Sequence, residues 1–298
     1  MAATQTETTH GSAKGFDLKP PQEALKVLAA AQAEAARTVE TAVPEIAAAA
    51  LMAAQCVAGG GQLIYAAAGS SGLMALADAL ELPGTYGIPK ERIKIVLAGG
   101  VMALTDMAGA PEDDADEARA GIVAAGVGPG DCVIALTASG HTPFPLAAVV
   151  AARAAGAKTI GIANNQGVAL FDLVDVAICL PTPPEVIAGS TRMGAATAQK
   201  IALNMLSTMM AIHLGHVHDG YMVNVVADNI KLKGRARRIV MAVGDVPEET
   251  AAHWLEVAQG SIKTAILLAA GAQDVAGAER LLAANGGRVR PALDELRG

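Results

Sequence analysis

Two hydroxyl-rich turns and a carboxylate carry the chemistry open to this chain. The turns are Gly69-Ser70-Ser71-Gly72 and Ser139-Gly140-His141-Thr142-Pro143. Each joins backbone N–H groups, hydroxyl donors and the start of a helix, a combination that holds a phosphate. In the second, Thr142 can cap a helix whose first position is Pro143. Neither has the Gly-x-x-x-x-Gly-Lys spacing of a nucleotide loop or a GxGxxG fingerprint, so the expected anion is a phosphate on a small ligand. A third such turn, Gly189-Ser190-Thr191, opens a long run without helix breakers. A carboxylate, Glu185, stands just before the third turn. Carboxyl groups in a dry pocket serve as general acid and general base. His141 is a further side-chain type that can move a proton.

The elements that would position these residues follow from the apolar pattern. Short apolar runs at 62–68, 93–97, 132–136, 159–163 and 176–180 each end in a cluster of small or polar residues or of prolines. Helical stretches alternate with them. That pattern predicts a parallel sheet covered on both faces, with ligands bound at the carboxyl ends of the strands, where the clusters fall. Ahead of the sheet an Ala-rich helical stretch spans 21–57, broken at Pro44. The run from 191 to 214 predicts a central helix of roughly 36 Å, capped by Ser190 or Thr191 and stopped by Gly215. Its apolar residues fall on nearly every face, which demands burial. Gln199, Lys200, Asn204, Ser207 and His213 argue against a membrane span. A further helix is expected over about 222–243, then several short helices from Pro247.

At 298 residues and 52% apolar content, one large domain and a small one are expected. Aromatic residues are 2% of the chain, so the core must rest on Ala, Val, Ile, Leu and Met. A net charge of -7 gives nucleic-acid binding no support, and the Lys231, Lys233, Arg235, Arg237, Arg238 cluster reads as a solvated helix face. Cys56, Cys132 and Cys179 form no CxxC pair, which suits a reduced chain without a zinc site. No apolar segment follows a basic start, so no secretory signal is expected. His213, His216, His218 and Asp219 read as a surface loop rather than a metal cluster.

Gly69-Ser70-Ser71-Gly72 after one strand, Ala138-Ser139-Gly140-His141-Thr142-Pro143 after another and Ala163-Asn164-Asn165 after a third resemble the sugar isomerase (SIS) domain family. A fuller set extends the likeness: Asp78-Ala79-Leu80-Glu81-Leu82-Pro83-Gly84-Thr85, Pro184-Glu185-Val186, Gly189-Ser190-Thr191-Arg192-Met193 and Leu203-Asn204-Met205-Leu206-Ser207-Thr208. These blocks resemble the N-acetylmuramic acid 6-phosphate etherase family from about residue 21 to the C-terminus. The resemblance implies an α/β fold, a SIS-type three-layer sandwich with a five-stranded, mostly parallel sheet plus a small C-terminal helical module. Its expected divisions are a flexible arm at 1–20, a sugar-phosphate domain at 21–245 and a small helical, UBA-like module at 246–298.

The activity implied is that of a cytoplasmic, cofactor-free carbon–oxygen lyase. It would open the sugar, remove the C2 proton, eliminate D-lactate from C3 and add water, giving N-acetylglucosamine 6-phosphate. A homodimer with sites near the subunit interface is implied, with no nucleic-acid or membrane partner and no metal. Glu81 matches the family acid, and Ser70, Ser71, Ser139, His141, Thr142, Ser190 and Thr191 fall where the sugar phosphate would be held. The chain departs from the pattern at several places. Gly109 stands where the family has a second glutamate, Leu73 and His141 replace phosphate-loop arginines, and Gly194 replaces a lysine. Only Thr6-Glu7 remains of the family's N-terminal Thr-Glu-x-Arg-Asn pattern. Glu112, Asp106, Glu185 and His141 are the candidates to replace the missing base. The gap also leaves open an enzyme acting on another phosphorylated sugar, or a non-catalytic sugar-phosphate sensor.

Overall fold

The computed structural model describes residues 5–103, 105–106 and 109–298; the first four residues of the expected arm lie outside them. Helices α1 (Pro21–Arg37) and α2 (Val43–Ala58) lead into strand β1 (Leu63–Ala67). Next come α3 (Gly69–Ala79), α4 (Leu82–Tyr86), β2 (Ile93–Leu97), α5 (Gly100–Ala103), α6 (Ala115–Ala124) and β3 (Cys132–Thr137). Then follow α7 (Pro143–Ala154), β4 (Lys158–Ala163), β5 (Val176–Cys179) and the central helix α8 (Gly194–His213). A hairpin of β6 (Val217–His218) and β7 (Tyr221–Met222) precedes α9 (Ile230–Gly244), α10 (Glu248–Val257), α11 (Ile262–Ala269), α12 (Val275–Ala284) and α13 (Val289–Arg297).

The five long strands form one sheet in the order β2-β1-β3-β4-β5, every neighbouring pair parallel. Continuous apolar sequence is what such a sheet requires, because both faces are covered. All five residues of β1 and all six of β3 are buried. Alternate side chains serve opposite faces. Ile64 and Ala66 join a core with Ala118 and Ile122 of α6 and Phe144 and Ala148 of α7. Tyr65, between them, turns the other way and donates its hydroxyl to Asp78 of α3 at 2.8 Å. Asp78 also accepts from Asn204 and Ser207 of α8, each at 3.0 Å. Burial pushes the Asp78 carboxyl above the usual carboxylate range, against the pull of these hydrogen bonds.

The chain divides into two compact units, one of residues 1–79 and 91–207, the other of 80–90 and 208–298. The second is larger than the expected 246–298 module. Its core joins Val223, Val225 and α9 residues Ala236, Ile239 and Val240 to Ile262, Ile266 and Leu267 of α11. The 80–90 segment belongs with it because Asn224 donates to the Tyr86 carbonyl at 2.8 Å and the Val226 amide to that of Gly84 at 3.0 Å.

Three local expectations change. The N-terminal helical stretch breaks at a 3-10 turn over Thr38–Ala42, and Pro44 lies in the first turn of α2, where proline is tolerated. The helix expected from about 222 starts at Ile230, and residues 217–222 form a hairpin. Asp219 and Gly220 both take positive φ at its tip, the pairing a two-residue turn favours. The central helix starts at Gly194, later than expected. Its cap is Glu185, whose Oε2 accepts from the Gly194 amide at 3.0 Å and Oε1 from the Ala195 amide at 2.9 Å.

Candidate active site

Strand order fixes where a ligand can bind. The chain passes from β1 outward to β2, then returns to place β3 on the other side of β1. Loops leaving β1 and β3 therefore separate, and a crevice opens at their carboxyl ends. Both hydroxyl-rich turns lie there. Together they border a cavity of about 320 Å³ whose walls include Ser70, Ser71, Glu112, Thr137, Ser139, Thr142 and Thr191.

The β3 side is a cluster of three hydroxyls. Thr137 Oγ1 lies 2.7 Å from Thr142 Oγ1 and 3.2 Å from Ser139 Oγ, and the latter two are 3.3 Å apart. Thr142 is the cap residue of α7, yet its side chain makes no cap bond. Its hydroxyl turns to Thr137 instead. Gly140 has a φ of 78°, and any side chain there would run into Val168. Beneath this loop Asn165, only 3% exposed, donates to the Ala138 carbonyl at 2.9 Å. On the β1 side, α3 begins at Gly69, so Ser70 and Ser71 occupy a first turn whose amides lack partners within the helix.

Glu112 closes the cavity against this turn. It sits in a short 3-10 helix over Ala110–Asp113 whose cap is Gly109. Its Oε1 occupies the space that a side chain at Gly69 would need. Burial, helped by the neighbouring charge of Asp113, pushes the Glu112 carboxyl above the usual glutamate range. That is the shift expected of a group suited to accept and return protons.

The expected site residues divide into two sets. Ser70, Ser71, Glu112, Ser139, Thr142 and Thr191 are brought together around the cavity. His141 is exposed, and its backbone amide donates to Ser139 Oγ at 3.2 Å; neither it nor Ser190 lines the cavity. Glu185 is 4% exposed with both oxygens engaged by the α8 amides. Glu81 belongs to the second unit, exposed at the start of α4. Among the described residues no group of three His, Cys, Asp or Glu is placed to hold a metal ion.

Two contributors lie outside the expected set of site residues. Thr137 is the last residue of a strand. Glu7 comes from the N-terminal arm, which is anchored at Thr6. Thr6 is 1% exposed, its amide donates to Asn165 Oδ1 at 3.2 Å, and Asn165 Nδ2 donates back to Thr6 Oγ1 at 3.0 Å. Glu7 follows directly and lines the cavity.

Known proteins match this chain in sequence and fold. The SIS domain pattern fits residues 103–214. An N-acetylmuramic acid 6-phosphate etherase of Deinococcus radiodurans is 41% identical over 294 residues, 98% of this chain and 95% of the relative. Its counterpart in Rubrobacter xylanophilus is 40% identical over 97% of this chain and 96% of its own length. Among solved structures, a phosphoheptose isomerase from Neisseria gonorrhoeae superposes with a TM-score of 0.50 at 20% identity. It covers 65% of this chain and 98% of its own, a likeness of fold alone. With such identity to the etherases over nearly its whole length, this chain belongs to the N-acetylmuramic acid 6-phosphate etherase family.

Proposed function

We propose that the protein cleaves the D-lactyl ether of N-acetylmuramic acid 6-phosphate, releasing D-lactate and N-acetylglucosamine 6-phosphate. One observation beyond family membership carries this reading: the Glu112 carboxylate shares a cavity with both hydroxyl-rich turns. Ser70, Ser71, Ser139, Thr142 and the helix N-terminus at Gly69 hold the phosphate without a cation. Glu112 removes the C2 proton, and its raised affinity for protons makes it a stronger base than a solvated glutamate. Elimination then expels lactate from C3, and water adds to the resulting double bond. Gly109 leaves open space among the described residues, and the carboxylate three positions on does the work expected at Gly109.

Glu81 is assigned the acid that protonates departing lactate, on the strength of its Leu80-Glu81-Leu82-Pro83 motif. Glu185 is assigned to holding α8, because both its oxygens are already occupied. The protein is further read as cytoplasmic, which its three unpaired thiols suit. It is also read as a homodimer. Leu25, Val43 and Leu51 stand 64%, 47% and 44% exposed on α1 and α2, an apolar surface that a second copy would cover.

The test is release of D-lactate from N-acetylmuramic acid 6-phosphate by the purified protein, alongside Glu112→Gln and Glu81→Gln. Activity that disappears in both variants supports the assignment. Wild-type protein that binds sugar phosphates but releases no lactate removes it. Sedimentation of the same preparation reads the oligomeric state.

A further inference from the structure

We propose that Glu7, delivered by the docked N-terminal arm, is a specificity-determining residue that binds the sugar end of the ligand through its hydroxyl or amide donors. The proposal rests on the sugar-phosphate reading above and adds a residue to it.

The arm is fixed to the same amide that shapes the β3 loop. Asn165 holds Thr6 from both directions and also donates to the Ala138 carbonyl. The arm and the loop are therefore set by one buried side chain. The residue after this anchor, Glu7, lines the cavity together with the α3 turn and borders Gly189. Gly189 has a φ of 74°, and a methyl group there would stand 3.4 Å from Glu7 Oε2.

Charge then dictates which part of a ligand Glu7 meets. Two lining residues, Glu7 and Glu112, are acidic, and none of the described lining residues is basic. An ionised carboxylate only accepts hydrogen bonds and repels a phosphate. A phosphorylated ligand therefore places its phosphate on the Ser70, Ser71, Ser139 and Thr142 hydroxyls and turns its donors towards Glu7. A hydrogen bond to a charged acceptor contributes enough to separate one ligand orientation from its reverse. Glu7 thus discriminates a sugar phosphate from phosphate itself, while Glu112 handles the proton.

The experiment is calorimetric titration of wild type, Glu7→Ala and Glu7→Gln with inorganic phosphate, glucose 6-phosphate and N-acetylglucosamine 6-phosphate. Glu7 is exposed, so the variants should melt with the wild type. Glu7→Ala should weaken binding of the preferred sugar phosphate by about tenfold or more. It should leave inorganic phosphate unchanged or slightly tighter, with Glu7→Gln intermediate. Equal weakening of all ligands, or of none, overturns the proposal, as does a wild type that binds no sugar phosphate better than inorganic phosphate. Lactate release by wild type is scored separately. A wild type without it, but with sugar discrimination lost in Glu7→Ala, sinks the etherase reading and keeps Glu7 in its role.

Discussion

Gly69 and Glu112 occupy one place between them. The glycine opens α3 with a φ of 52°, and the glutamate's Oε1 fills the space that its side chain would take. The pairing fixes a carboxylate against the first turn of a helix, at the mouth of β1. Gly69→Ala should therefore act twice. A left-handed backbone at a non-glycine residue costs about 1 kcal/mol of stability, and the new methyl group displaces Glu112. We expect the melting temperature to fall by a few degrees and turnover to fall by roughly 100-fold. A variant with wild-type turnover would show that the position of Glu112 is not needed.

Glu112 should leave its mark on the pH profile. A base must be ionised to act, and burial together with Asp113 raises the pH at which Glu112 ionises. The acid limb of kcat/KM should lie above the range of a solvated glutamate, with activity rising as pH rises through it. Glu112→Gln should lower kcat by about 10²–10⁴-fold and leave sugar-phosphate binding intact. Loss of binding with kcat preserved would move the base elsewhere.

Glu185 makes a contrasting prediction. It is 4% exposed and satisfies two amides at the start of α8. Glu185→Ala should reduce stability by about 2–3 kcal/mol in denaturant unfolding, because buried donors lose a charged acceptor. Glu185→Gln keeps one acceptor and should lose less. If Glu185→Gln abolishes turnover while leaving the unfolding midpoint in place, Glu185 belongs to the chemistry.

His216 should make the second unit acid-sensitive. Burial, with a smaller contribution from the charge of Lys263, lowers its pKa from 6.5 to about 4, and among the described residues its Nδ1 has no hydrogen-bond partner. A base with a depressed folded pKa gives stability that is present above its unfolded pKa and lost as pH falls through the folded one. Roughly 2–3 kcal/mol should disappear between pH 6.5 and 4. Lys263, lowered to about 8, stays charged across this window and adds no slope. His216→Phe should flatten the pH dependence of melting in that range; an unchanged slope would assign the acid sensitivity elsewhere.

The sheet was legible because a doubly covered parallel strand has one signature, an unbroken apolar run, and β1 and β3 have it. The hydroxyl turns were legible because each is a contiguous stretch at a strand end. What stayed hidden depends on contacts across the chain. Local sequence offered Ser190 and Thr191 as caps for α8, whereas the carboxylate of Glu185 arrives from nine residues upstream. Nothing near Thr6 announces Asn165, 159 positions away. The hairpin at 217–222 did carry a local signal, Asp219-Gly220, but its strands are too short for alternation to show. Gly109 drew attention to a lost carboxylate, while Glu112 could be placed in the cavity only once the turn over Ala110–Asp113 was seen.

The pairing of β1 with β3 has a consequence in time. Gln62 and Asp131, at the feet of these strands, are joined by a hydrogen bond across 69 residues of chain. Closing such a loop is slow compared with forming the helices it encloses. Each half of the phosphate cradle can fold locally, but neither has a partner until this long-range zipper closes. During refolding, helical signal should recover first, and affinity for phosphate should return only with the slowest phase. On a ribosome the cavity cannot exist before β3 has emerged.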